Sequence, residues 1–167
     1  MKHLTAEAHS HCLICDAELL EAHEDYLIEK VVRNYRQFHL QDTILEYAVC
    51  MRCALRQRKR ISAESLQAVE AYLAPHVAKL ATSSLEYCLV TNEPLAELEE
   101  YQLMAYCRGS TLHPDMPKPF ALGLNAMLEI GENLSASTRQ EMDGFLGEHF
   151  GLPPELQKDL PARPILF

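Results

Sequence analysis

The chain contains no tryptophan, and its basic residues are outnumbered, with 15 Lys+Arg against 24 Asp+Glu and a net charge of −9. Phosphate repels such a surface, which argues against general nucleic-acid affinity. No apolar run approaches the roughly 20 residues that a membrane span needs. The opening stretch MKHLTAEAHSHC lacks the apolar core of an export signal, so the cytoplasm is the expected location and its six cysteines are expected to meet a reducing environment. Catalytic signatures are missing too. There is no His-x-x-x-His metal helix, no Gly-x-Ser-x-Gly elbow and no phosphate-gripping glycine loop. The zinc-deaminase pattern fails because His11-Cys12-Leu13 carries no glutamate and no proline precedes Cys50.

What the chain does have is two Cys-x-x-Cys pairs, Cys12/Cys15 and Cys50/Cys53. Two intervening residues let a tight turn aim both sulfurs at one point, and two such turns complete a tetrahedron suited to Zn²⁺. Four thiolates leave no open coordination position, so one structural zinc ion is expected. His3, His9 and His11 read as solvated surface, with His11 as a competing ligand in the alternative, since imidazole also suits zinc. Cys88 and Cys107 read as small buried hydrophobes.

Along the chain, YLIEKVVRNYRQFHL and TILEYAVC suggest two strands, with turns around Asn34 and Gln41-Asp42. A helix over 17–30 competes with the first. A helix is expected to begin at or just before Cys53, where free N–H groups and the dipole favour thiolates. Ser62 offers an N-cap for a second helix over 63–80, which Pro75 should kink or end early. Thr82-Ser83-Ser84 is the expected linker. It separates residues 1–82 from an acidic part, 83–167: residues 86–167 hold 5 Lys+Arg against 13 Asp+Glu. Residues 113–119 contain three prolines and form a loop. Phe120–Ile130 reads as an apolar helix closed by Gly131. Ser137 with Gln140 makes a capping box for a helix reaching Phe150, with Met142, Phe145, Leu146 and His149 on one face. The apolar end of the proline-rich tail is expected to pack back on its own domain. The Glu99-Glu100 pair reads as solvated.

The chain also resembles itself. Cys12-Leu-Ile-Cys15-Asp-Ala-Glu-Leu19 lines up with Cys88-Leu-Val-Thr91-Asn-Glu-Pro-Leu95. Extending the alignment pairs Cys50/Cys53 with Cys107/Ser110. The second copy would then be a degenerate repeat, since two hydroxyls make a poor zinc site.

Over residues 10–62 the four cysteines resemble those of treble-clef zinc domains. That resemblance implies a knuckle, a β-hairpin and a helix bearing the last two ligands around one zinc ion. The expected class is therefore α+β, with a four-cysteine zinc module followed by the repeat and C-terminal helices. Arg52, Arg56, Arg58, Lys59 and Arg60 form the one basic cluster, on the helix after the second pair. It reads as a solvated face or a docking surface for an acidic partner, including the acidic half of this chain. The expected function is a non-catalytic interaction or adaptor module, with a nucleic-acid-binding regulator as the alternative.

Overall fold

The computed structural model of the protein describes residues 9–151 and residue 155. The N-terminal arm with His3, and in the tail residues 152–154 and 156–167 with its apolar end, lie outside the described residues. The β-branched and aromatic residues of DYLIEKVVRNY form β1, Asp25–Tyr35, rather than the competing helix. It pairs antiparallel with β2, Leu40–Cys50. The turn between them is a single 3₁₀ turn, Arg36–Phe38, closed by His39 in the left-handed region at φ 50°. Asn34 and Gln41-Asp42 are therefore strand residues and not turns. Asn34 sits opposite Gln41, and its buried amide donates to the carbonyls of Leu95 and Leu98 at 2.8 and 2.6 Å.

Helix α1, Met51–Arg58, follows β2 with Cys50 as N-cap. Helix α2, Ala63–Leu73, is capped by Ser62, whose side chain accepts from the Ser65 backbone N–H. Pro75 lacks an N–H and ends α2, and the chain continues as a 3₁₀ helix, Ala74–Ala81.

Strand β3, Glu100–Arg108, lies against the other side of β1, antiparallel over nine pairs. Beyond it are β4, Thr111–Leu112, and β5, Phe120–Gly123. The apolar run from Phe120 is thus a strand first and a helix second. Helix α3, Leu124–Glu132, begins only after Gly123, with Gly131 inside it. Helix α4, Ala136–Phe150, is capped by Ser135 rather than Ser137, because the Ser135 hydroxyl accepts from the Thr138 N–H. It ends at Gly151 in the left-handed region. Met142, Phe145 and Leu146 are buried, and the His149 ring packs 4.7 Å from Phe145.

The two halves repeat one plan. A shift of 76 residues carries the backbone bonds Cys12 N–H to Ala17, Asp16 N–H to Cys12 and Leu19 N–H to Ser10 onto Cys88 to Glu93, Asn92 to Cys88 and Leu95 to Glu86. Asp16 and Asn92, the equivalent turn residues, both have positive φ. A shift of 73 carries the second helix cap onto the fourth, Ser62 onto Ser135 and Ser65 onto Thr138. The Ser62 and Ser135 hydroxyls meet at 2.9 Å, and the N–H groups of Ser62 and Ser135 donate crosswise to Thr138 and Ser65.

Between these ends the central strands fit a shift of 75. It maps Asp25 onto Glu100 and Arg33 onto Arg108, so the ion pairs Asp25–Arg108 and Arg33–Glu100 are mates. Glu29 maps onto Met104, its own partner in the β1–β3 ladder. A local twofold axis therefore passes through this strand pair. Glu100 is nearly fully buried against Arg33, so only Glu99 of the Glu99-Glu100 pair is solvated.

Glu29 is fully buried on that axis. Its Oε2 accepts from the Tyr47 hydroxyl at 2.5 Å and the Gln102 amide at 3.0 Å. Its Oε1 and the Gln102 Oε1 both lack a partner among the described residues. Burial pushes the Glu29 carboxyl up to about 8, against the opposing bond from Tyr47. Protonating Glu29 adds the one donor this group lacks. A folded-state value above the unfolded one means the stabilisation is complete below about pH 4.5 and is lost as pH rises through about 8. Thermal unfolding of the native protein should therefore shift downward between pH 6 and about 9, and Glu29→Gln, which mimics the neutral acid, should flatten that slope. Equal slopes for the two proteins would contradict a buried neutral Glu29.

Candidate metal centre

The site is built by two backbone devices. In the first, the Cys12 carbonyl accepts from Asp16 N–H and the Cys12 N–H donates to Ala17, both at 2.9 Å, closing the turn that holds Cys12 and Cys15. Asp16 supplies the left-handed residue at φ 57°, a conformation Asp tolerates better than most. The Leu13 N–H donates to Ala48 on β2, fastening the turn to the sheet. The second device is the start of α1: Cys50 is its N-cap and Cys53 lies in its first turn. Free N–H groups and the dipole there favour negative sulfur.

These devices bring Cys12, Cys15, Cys50 and Cys53 together, with all four Sγ atoms within 4.8 Å of one another. The Cys15 and Cys50 sulfurs are 3.8 Å apart. A tetrahedron with metal–sulfur bonds of about 2.3 Å has edges of about 3.8 Å, so the cluster could hold a metal ion. Cys12, Cys50 and Cys53 are buried and Cys15 is exposed. Burial raises the Cys12 thiol, but hydrogen bonds from the backbones of Cys15, Cys50 and Ile14 outweigh it and bring it down to about 7. The Cys50 N–H reaches Cys12 Sγ at 3.3 Å. Burial pushes the Cys50 thiol up to about 12. His11 lies outside the cluster: it is exposed, its ring is bonded to the Ser10 hydroxyl, and its backbone pairs antiparallel with that of Glu18. His9 pairs with Glu46 at 3.1 Å.

The basic cluster is dispersed among several partners. Arg56 donates to Cys53 Sγ at 2.9 Å. Arg52 faces Glu24 at 3.7 Å, Arg58 binds Glu70 at 2.6 Å, and Arg60 reaches Glu141 of the acidic half at 2.7 Å. Lys59 has no ion pair among the described residues. Arg52, Arg56 and Lys59 line an open basin with Cys15 and Leu55. Four thiolates around a divalent cation carry a net charge of about −2, so Arg56 supplies local countercharge. That role is invisible in a sequence where the cluster reads only as surface.

In the second half the equivalent cradle is preserved while its donors are not. Leu89 N–H donates to Ala121 as Leu13 does to Ala48, and Gly123 N–H reaches Cys88 Sγ at 3.3 Å as Cys50 N–H reaches Cys12. The counterparts of Cys50 and Cys53 are therefore Gly123 and Ala126. The alignment with Cys107 and Ser110 is corrected: Cys107 is a buried residue of β3 opposite Tyr26. The space is filled by Leu98, whose Cδ1 would stand 2.6 Å from a Cβ at Gly123. Buried Leu95, Leu98, Leu103 and Ala126 pack around Cys88 there.

Compared with known protein families, curated proteins and solved structures, the chain finds no match. Its site must be judged on chemistry alone. Changing a residue that bonds a metal ligand typically costs 10–100-fold in metal affinity. Arg56→Ala should lower metal affinity by about that factor, measured by competition with a chromophoric chelator, while Arg60→Ala should not. A change under about twofold for Arg56→Ala would show that the contact carries no weight.

Proposed function

We propose that this chain is a non-catalytic, zinc-stabilised interaction module whose first half is of treble-clef type. The observation that carries the reading is the four-thiolate cluster, held by a closed turn and a helix start. All-sulfur donor sets favour zinc among the common ions, and a full set of four leaves no position for substrate. The cluster includes neither histidine nor carboxylate.

The surface beside it suits a protein partner. Leu55 is 54% exposed amid Arg52, Arg56 and Lys59, an apolar anchor ringed by cations that fits an acidic, partly apolar surface. The nucleic-acid reading is less well supported, because Arg52, Arg58 and Arg60 already face carboxylates.

Purified under reducing conditions, the protein should carry about one zinc per chain, and Cys50→Ser should lose it. Less than half an equivalent in the native chain would refute the zinc assignment. Affinity capture compared between the native protein and Leu55→Asp/Lys59→Glu should show a discrete set of proteins lost from the variant. Unchanged capture would remove this face as the docking surface. Binding to duplex DNA that collapses by about 10³–10⁵ between 50 and 200 mM salt would replace the protein partner with nucleic acid.

A further inference from the structure

Beneath α2 and the 3₁₀ helix that follows it lies an apolar cavity of about 330 Å³. Its walls include Leu73, Val77, Phe120 and Leu122, with Tyr106, Arg58 and Glu70 as the polar members. The first half shows what the shared plan does with the same place. There the equivalents of Phe120, Tyr72, Leu73 and Val77 are Tyr47, Phe145, Leu146 and Phe150. The Phe150 ring packs 5.5 Å from Tyr47 and 6.3 Å from Phe145. In the second half Pro75 has turned the helix to 3₁₀ geometry, and Val77, where a phenylalanine would stand, is 56% exposed. The cavity is thus a departure from the plan at one position, in a fold that elsewhere fills the space.

Its polar lining is Arg58, Tyr106 and the Glu70 carboxylate that Arg58 binds. Arg58 gives one N–H bond to Glu70 and keeps the rest of its five donors. Burial, and after it the Glu29 carboxyl, raise the Tyr106 phenol, and the Arg58 charge opposes that rise only in part; the Tyr106 hydroxyl makes no hydrogen bond among the described residues. An apolar slot whose lining carries the donors of Arg58 and Tyr106 suits a ligand with an apolar body and an acceptor head that shares Arg58 with Glu70. A cavity of about 150 Å³ accepts benzene, so this one takes roughly a dozen non-hydrogen atoms.

We propose that the second half binds a small aliphatic carboxylic acid here, its chain under α2 and its carboxylate on Arg58 and Tyr106. Decanoate is of the right size and serves as the probe. Titration calorimetry and NMR shifts should show one saturable site in the native protein. Val77→Phe, at an exposed position, restores the first-half arrangement and should weaken binding at least tenfold while metal content and melting temperature stay unchanged. Tyr106→Phe should weaken decanoate several-fold and leave decanol unaffected. The proposal is overturned if decanoate fails to saturate one site or binds Val77→Phe as it binds the native chain. It is equally overturned if decanol binds as tightly as decanoate.

Discussion

The antiparallel pairing of β1 with β3 is the contact on which the rest of the molecule depends. It joins the two halves into one sheet over nine residue pairs and sets the axis that relates them. Each half brings one hairpin partner to the centre, β2 on one side and β5 on the other. The Ser62–Ser135 hydroxyl contact lies on the same relation, where the starts of α2 and α4 meet. Both helix starts would otherwise present unpaired N–H groups to one another, and the crossed serine and threonine bonds satisfy them. Glu29 sits on the axis because one of two equivalent positions became a carboxyl and the other Met104. That asymmetry puts a titratable group at a fully buried position.

Around that axis the halves solve one packing problem in two ways. A knuckle, a strand and a helix start leave a small space that must be filled. In the first half four sulfurs surround it, and metal binding of the order of 10–16 kcal/mol in small zinc peptides rivals the 5–15 kcal/mol stability of a whole domain. In the second half Leu98 fills it by hydrophobic packing. The substitution runs the other way under the helices, where Phe150 closes the first half and Val77 leaves the second open. Each half is tight where the other is adapted.

The four cysteines were legible because their spacing is a chemical requirement, and the first eight residues of the repeat because their turn needs Asp16 or Asn92 at positive φ. The second ligand pair of the repeat was not legible. Once a ligand is lost, Gly123 and Ala126 carry no trace of it, whereas Cys107 and Ser110 offer a coincidental match. Phe120–Ile130 reads as one helix because a continuous apolar run satisfies both periods, and only pairing with β3 shows that its first four residues are strand. Glu100 looked solvated because its partner, Arg33, is 67 residues away. Arg56 looked like surface because its acceptor is a sulfur whose charge appears only once the cluster is assembled.

The central claim is that the second half keeps a metal cradle closed by a leucine. It is tested most directly by rebuilding the donors: Thr91→Cys, Gly123→Cys and Ala126→Cys beside the existing Cys88, with Leu98→Ala to clear the space. Metal analysis of this folded variant should rise from about one zinc per chain to about two, with all-sulfur coordination at about 2.3 Å. A variant that keeps the native circular-dichroism spectrum yet still binds one zinc would contradict the equivalence of the two halves at this site.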